Sequence, residues 1–146
     1  MLGHFKLVIN SHEVGDWDDT ATLDSIFGWI EDFLDKPVER IEQKSELLSK
    51  EQVFASFYDP YMLYKVTQME PTIHPKGVVD RFNISYLGMS SFDDFAVLLI
   101  ESKKDQRVLW SDLRSRSILE TRLPPSTIQS IFAESLQRFH KEVRNS

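Results

Sequence analysis

Three residues in the second half of the chain have types and an order that could do chemistry. Asp80 stands at the start of one β-rich stretch, and Glu101-Ser102-Lys103 closes a later apolar one. Two carboxylates at strand ends can hold a divalent metal, and a nearby lysine can help activate a bound water for attack on a phosphodiester. The paired acids Asp18-Asp19 and Asp93-Asp94 could in principle do acid–base or metal work. Neighbouring acids on a strand, however, point to opposite faces, and on a loop they face water. Asp16-Trp17-Asp18-Asp19 is a different case, because it sets a large amphipathic ring among three like charges.

The first constellation is weighed against a plainer reading. An Asp followed by Glu-x-Lys resembles the metal site of restriction-type nucleases, which makes a metal-dependent nuclease on Asp80, Glu101 and Lys103 an alternative to carry forward. Glu101 and Lys103 also suit the end of a hairpin, where charges are solvated because the turn is. A nuclease would rarely show an acidic N-terminal face to its substrate, so the plainer reading outweighs the catalytic one. The rest of the catalytic search returns little. Gly3, Gly15, Gly28, Gly77 and Gly88 form neither a dinucleotide fingerprint nor a phosphate loop, and no serine sits in a nucleophile elbow. His4, His12, His74 and His140 are scattered, with no i, i+4 pair. The absence of cysteine excludes disulfides, thiolate metal sites and a cysteine nucleophile. The expectation is a protein that is not an enzyme, with no catalytic residue, no metal and no cofactor.

Trp17 admits two readings. Buried, it anchors its loop onto a sheet; exposed, it is an aromatic hot spot ringed by carboxylates, suited to a basic protein surface. Phe92-Asp93-Asp94-Phe95 and Tyr58-Asp59-Pro60-Tyr61 repeat the aromatic–acid mixture. The candidate partner-binding residues are therefore Glu13, Asp16, Trp17, Asp18, Asp19, Asp93 and Asp94.

Charge supports a protein partner. The net charge of −6 is uneven: residues 1–35 carry eight acids against Lys6 alone, whereas residues 102–146 carry nine bases against five acids. An acidic face repels nucleic acid and anionic membrane and steers basic partners toward it. No direct nucleic-acid contact and no membrane contact are expected. The N-terminus lacks a signal-peptide pattern, and the longest apolar run, Phe95–Ile100, is far below the roughly 20 residues that span a bilayer, so the expected location is the cytoplasm.

The elements that must position these residues follow from periodicity. At 146 residues, with no repeat or linker, a single domain over residues 1–146 is expected. Phe5–Asn10 reads as a strand, broken at Gly15-Asp16. Leu23 to about Leu34 reads as a helix with Leu23, Ile26, Phe27, Ile30, Phe33 and Leu34 on one side, capped by Thr22 and stopped by Pro37. Ser49-Lys50-Glu51-Gln52 has capping-box form and introduces a short helix with Val53, Phe54 and Phe57. Met62–Gln68 and Val78–Leu87 are strand candidates, the second with Phe82 and Ile84 opposite Arg81, Asn83 and Ser85. Phe95–Glu101 and Arg107–Ser111 suit a hairpin, Ile118–Leu123 a further strand, and Pro124-Pro125-Ser126 precedes a helix with Ile128, Ile131, Phe132, Leu136 and Phe139 on one face. The expected fold is α+β: an antiparallel sheet of about four to six strands, with an N-terminal and a C-terminal amphipathic helix against one face.

Two ends of the chain carry a resemblance. Phe5-Lys6-Leu7-Val8-Ile9-Asn10, Val14-Gly15-Asp16 and Thr22-Leu23 resemble the opening of bacterial immunity proteins of polymorphic-toxin and contact-dependent growth-inhibition systems. Asp105-Gln106-Arg107-Val108-Leu109-Trp110, Glu120, Leu123-Pro124 and the closing helix are similar to their end. Together these cover about half of the length, and residues 36–77 match no pattern. The resemblance implies a non-catalytic cytoplasmic antitoxin that binds the C-terminal domain of a sibling's secreted effector. Many such toxins are nucleases with basic surfaces, which an acidic antitoxin would engage by mimicking nucleic acid. A non-catalytic adaptor subunit is the remaining alternative.

Overall fold

Phe95-Ala96-Val97-Leu98-Leu99-Ile100 offers no polar residue to alternate with an apolar one, so a strand built from it must be covered on both faces. The computed structural model describes residues 1–57, 80–85, 92–112 and 117–146. Its central feature is an antiparallel sheet in which three strands, called here β5 (Phe95–Glu101), β6 (Gln106–Asp112) and β7 (Ser117–Leu123), lie in that order. Val97 pairs with Trp110, and Trp110 with Leu119. Every residue of β5 before Glu101 is buried.

One face packs Val97, Leu99, Val108 and Trp110 against a layer made from the N-terminal third and the C-terminal helix. That layer begins with β1 (Leu2–Gly3), β2 (Leu7–Ile9), β3 (His12–Val14) and β4 (Ala21–Thr22), paired antiparallel as β1 with β4 and β2 with β3. Helix α1 (Leu23–Asp35) follows and buries Ile26, Ile30 and Phe33. The C-terminal helix, Thr127–Asn145, packs against it through the stacked pair Phe27–Phe139 (4.1 Å between centroids) and the edge-on pair Phe33–Phe132 (5.1 Å).

The opposite face packs Ala96, Leu98, Ile100, Leu109 and Ile118 against helix α2 (Lys50–Phe57), which buries Val53, Phe54, Ala55 and Phe57. The C-terminal helix is accordingly α3. Two helices thus share one face of the sheet while a third covers the other. The N-terminal and C-terminal helices share one face as expected, and the unbroken apolar run of β5 requires the further cover that α2 gives the other. The capping box of α2 forms reciprocally: Gln52 N–H donates to Ser49 Oγ at 3.2 Å and Ser49 N–H to Gln52 Oε1 at 3.0 Å.

Several local expectations change. The first strand turns back at Asn10-Ser11, not at Gly15-Asp16; both residues have positive φ (48° and 66°), as a two-residue hairpin turn with the right twist requires. Thr22 stands at the start of α1 without a side-chain cap; Leu23 N–H donates instead to the Met1 carbonyl at 3.0 Å, through the β1–β4 pairing. Asp80, Arg81 and Phe82 are helical, and residues 82–85 are all buried, so the alternation read over Val78–Leu87 does not hold there. Asn83 bridges Leu98, and Ile84 N–H donates to the Val97 carbonyl at 2.9 Å, which covers the outer edge of β5. Ile131 is exposed, because at about 100° per residue it lies off the stripe formed by Ile128, Phe132, Leu136 and Phe139. The strand read at Met62–Gln68, the Tyr58–Tyr61 motif and His74 fall outside the described residues.

A buried polar node joins the hairpin to α3. Gln106 Nε2 donates to Glu101 Oε1 (2.6 Å) and Gln129 Oε1 (2.7 Å), while Gln106 Oε1 accepts from Ile128 N–H (2.9 Å). It supplies the cap that Ser126, in a left-handed conformation with no side-chain cap bond, does not. Gln106→Leu should lower the unfolding free energy by about 1–3 kcal/mol, since it leaves the part-buried Ile128 N–H and Gln129 Oε1 without the partner they have here; urea denaturation measures it. At the β5–β6 turn, hydrogen bonds from Arg122 and then Ser102 hold the Asp105 carboxyl below its usual pKa. The stabilisation from a lowered carboxyl pKa is complete above the unfolded-state value and is lost as pH falls through the folded one. Thermal midpoints should therefore drop below about pH 4, and Asp105→Asn should flatten part of that drop.

Candidate functional site

The loop after β3 is fixed at both ends. Val14 is buried in the core, and Gly15 has φ 110°, a conformation that side-chain-bearing residues rarely adopt. A Cβ placed on Gly15 would lie 3.0 Å from Phe92 Cζ, so the chain passes directly over the Phe92 ring. That approach sets the loop Glu13–Asp19 beside the turn carrying Asp93 and Asp94, about eighty residues away in sequence. Both of those aspartates are exposed. Phe92 itself is buried and also meets Phe5.

Within the loop, Asp16 Oδ1 accepts from Asp18 N–H at 3.0 Å, an Asx turn that fixes the first carboxylate and aims Trp17 outward. Trp17 is 49% exposed, which decides between its two readings in favour of a surface aromatic. Its ring is flanked by residues that precede β2. Lys6 Nζ lies 5.0 Å from the ring centroid, and the His4 ring centroid lies at 5.3 Å. Lys6 is also ion-paired to Glu13. The surface therefore combines a preorganised tryptophan with carboxylates from two segments, and a single lysine neutralises part of it from behind. Sequence reasoning missed Lys6 and His4; the missing signal was the hairpin at Asn10-Ser11, which folds β2 back against the loop.

The metal constellation is not assembled in this way. Glu101 Oε1 accepts from both Gln106 and Gln129, and Glu101 Oε2 lies 3.8 Å from Arg40 Nη1. Asp80 is an exposed helical residue, and Lys103 sits exposed in the β5–β6 turn. Among the described residues no three His, Asp or Glu side chains come together as metal ligands would. Burial pushes the Arg40 guanidinium below its usual pKa, and the Glu101 charge works against that shift. Glu101 thus serves a buried arginine and the α3 node. Among the described residues no helix is long and apolar enough to cross a membrane.

The fold is that of a solved structure. The crystal structure of CdiI from Burkholderia dolosa AUO158 superposes with a TM-score of 0.64 at 13% identity, covering 93% of this chain and 83% of that one. Residues 1–138 match the family of Immunity protein 42, and the chain belongs to that family. As an immunity protein it is an antitoxin that neutralises a cognate toxin. A comparison with curated proteins finds no match.

The contact under Gly15 has a measurable consequence. Gly15→Ala would combine a strained φ with a Cβ against a buried ring, and should cost about 1–3 kcal/mol of stability. Fluorescence-detected unfolding would read it, and a change below about 0.5 kcal/mol would mean that the Gly15–Phe92 approach is not tight.

Proposed function

We propose that this immunity protein belongs to a contact-dependent growth-inhibition system and acts in the cytoplasm. It neutralises a nuclease toxin by laying the surface of Glu13, Asp16, Trp17, Asp18, Asp19, Asp93 and Asp94 over the toxin's basic substrate-binding face. The observation that carries the reading is Trp17: half-exposed, with Lys6 and His4 against its ring and Asp16, Asp18 and Asp19 beside it in sequence. A rigid exposed tryptophan gives contact area at little entropic cost, while the acids set encounter rate and specificity. Carboxylates on such a surface present negative charge where the toxin expects phosphate. The antitoxin needs no catalytic group of its own, which agrees with a Glu101 already committed to Gln106, Gln129 and Arg40. The CdiI likeness supports the assignment to contact-dependent inhibition.

The test is binding to the C-terminal domain of the effector encoded immediately upstream. Association should slow as salt rises from 50 to 500 mM, values chosen on the order of the range over which the Debye length falls from above to below 10 Å. Reversing Asp16, Asp18 and Asp19 to lysine should weaken affinity on the order of 100-fold, mainly through the association rate, and should leave folding intact. A folded triple variant with wild-type affinity would move the interface elsewhere.

A further inference from the structure

The segment between α1 and α2 has little regular structure beyond a 3-10 turn at Gln43–Leu47, yet two buried arginines hold it. Arg107, on β6, donates through Nη1 to the Ser45 carbonyl (2.7 Å), through Nη2 to the Leu48 carbonyl (3.0 Å), and through Nε to Glu120 (2.8 Å). Arg40 donates to the carbonyls of Val38 and Arg81, lies 4.3 Å from the Phe33 ring centroid, and pairs with Glu101. Its own carbonyl accepts from Glu101 N–H at 2.8 Å, which ties the segment to the end of β5. Inside the turn, Glu42 accepts from Lys44 N–H, and Ser45 Oγ donates to the Glu42 carbonyl.

Burying two guanidiniums is costly, so a turn held this way has a defined shape before any partner arrives. The turn displays one large apolar side chain, Leu47, among the exposed polar residues Gln43, Lys44 and Glu46. Leu47 is 96% exposed and Ile41 45%, with the exposed carboxylates of Glu39 and Glu46 beside them in sequence. A lone exposed leucine is ordinary, but one at the tip of a doubly clamped turn is preorganised for insertion into a recess.

We propose that this turn is a second protein-docking site, with Leu47 as its anchor, and that its occupant is the cognate toxin. This rests on the antitoxin reading above. The toxin contact is an apolar recess that receives Leu47, rimmed by lysine or arginine that meets Glu39 and Glu46. Charge favours this occupant over a second copy of the chain, because the exposed acids Glu39 and Glu46 outnumber the turn's exposed base, Lys44, so a symmetric pairing would set net negative charge against itself. The turn meets the end of β5 at Glu101, whereas the Trp17 surface adjoins Phe92 and the start of β5. About 20 Å of strand separates these ends, so the two contacts share no residue and their effects should combine independently.

The probe is again the C-terminal domain of the effector encoded upstream, titrated with the full chain. Leu47→Asp should weaken affinity on the order of 30- to 100-fold through faster dissociation, with an unchanged thermal midpoint, since a fully exposed side chain supports no core. Ile41→Asp should give a smaller loss. Combined with the Asp16, Asp18 and Asp19 reversal, the fold-losses should multiply. Wild-type binding with an undiminished Leu47→Asp affinity would overturn this site and leave the antitoxin surface at Trp17 standing. No binding by the wild-type chain would overturn both. Self-association abolished by Leu47→Asp, with toxin affinity unchanged, would assign the turn to a second copy and overturn the proposal.

Discussion

One strand that is apolar on both faces, β5, governs this architecture. Each residue from Phe95 to Ile100 is removed from water, so neither side of β5 can be left as a solvated face. The chain meets the demand with two unlike layers: the N-terminal strands, α1 and α3 on one side, and α2 on the other. The outer edge of β5 is covered as well, by residues 83–85 and by the Arg40 carbonyl. Loops and turns at the ends of the sheet are thereby carried on a rigid frame.

Polar groups then decide how the layers meet. Gln106, Glu101 and Gln129 fasten α3 to the hairpin, while Arg107 and Arg40 fasten the segment after α1. The donors that Gln106, Gln129, Arg107 and Arg40 use here find carbonyls or carboxylates, so part of the cost of desolvation is met by bonds that exist in one arrangement only. Glu101 takes part in both fastenings. That explains why a carboxylate at a strand end, next to a lysine two residues on, has a structural occupation here and not the metal-binding one its spacing suggested.

The antitoxin's surface chemistry follows from the same frame. Gly15 crossing the Phe92 ring brings acids from two distant segments to one place, and the β2–β3 hairpin sets Lys6 and His4 against Trp17. A like-charge cluster would repel itself if left uncompensated. Lys6, shared between Glu13 and the Trp17 ring, offsets part of that repulsion while leaving the outward charge negative. Lys6 is thus both a fold residue and a tuner of this surface's charge.

The sequence alone determined the helix Leu23–Asp35, the capping box at Ser49, the hairpin of β5 and β6, and the acidic segment with its tryptophan. In each case the signal is local, carried by spacing within a dozen residues. It also carried the immunity-protein resemblance, in short patterns at the two ends. Only tertiary structure decided the exposure of Trp17, the meeting of Gly15 with Phe92 and the two-sided cover of the sheet. It likewise decided the roles of Lys6, Arg40 and Arg107. These depend on contacts between residues tens of positions apart, and a lysine, an arginine or a glycine carries no mark in the sequence of the partner that folding will bring to it.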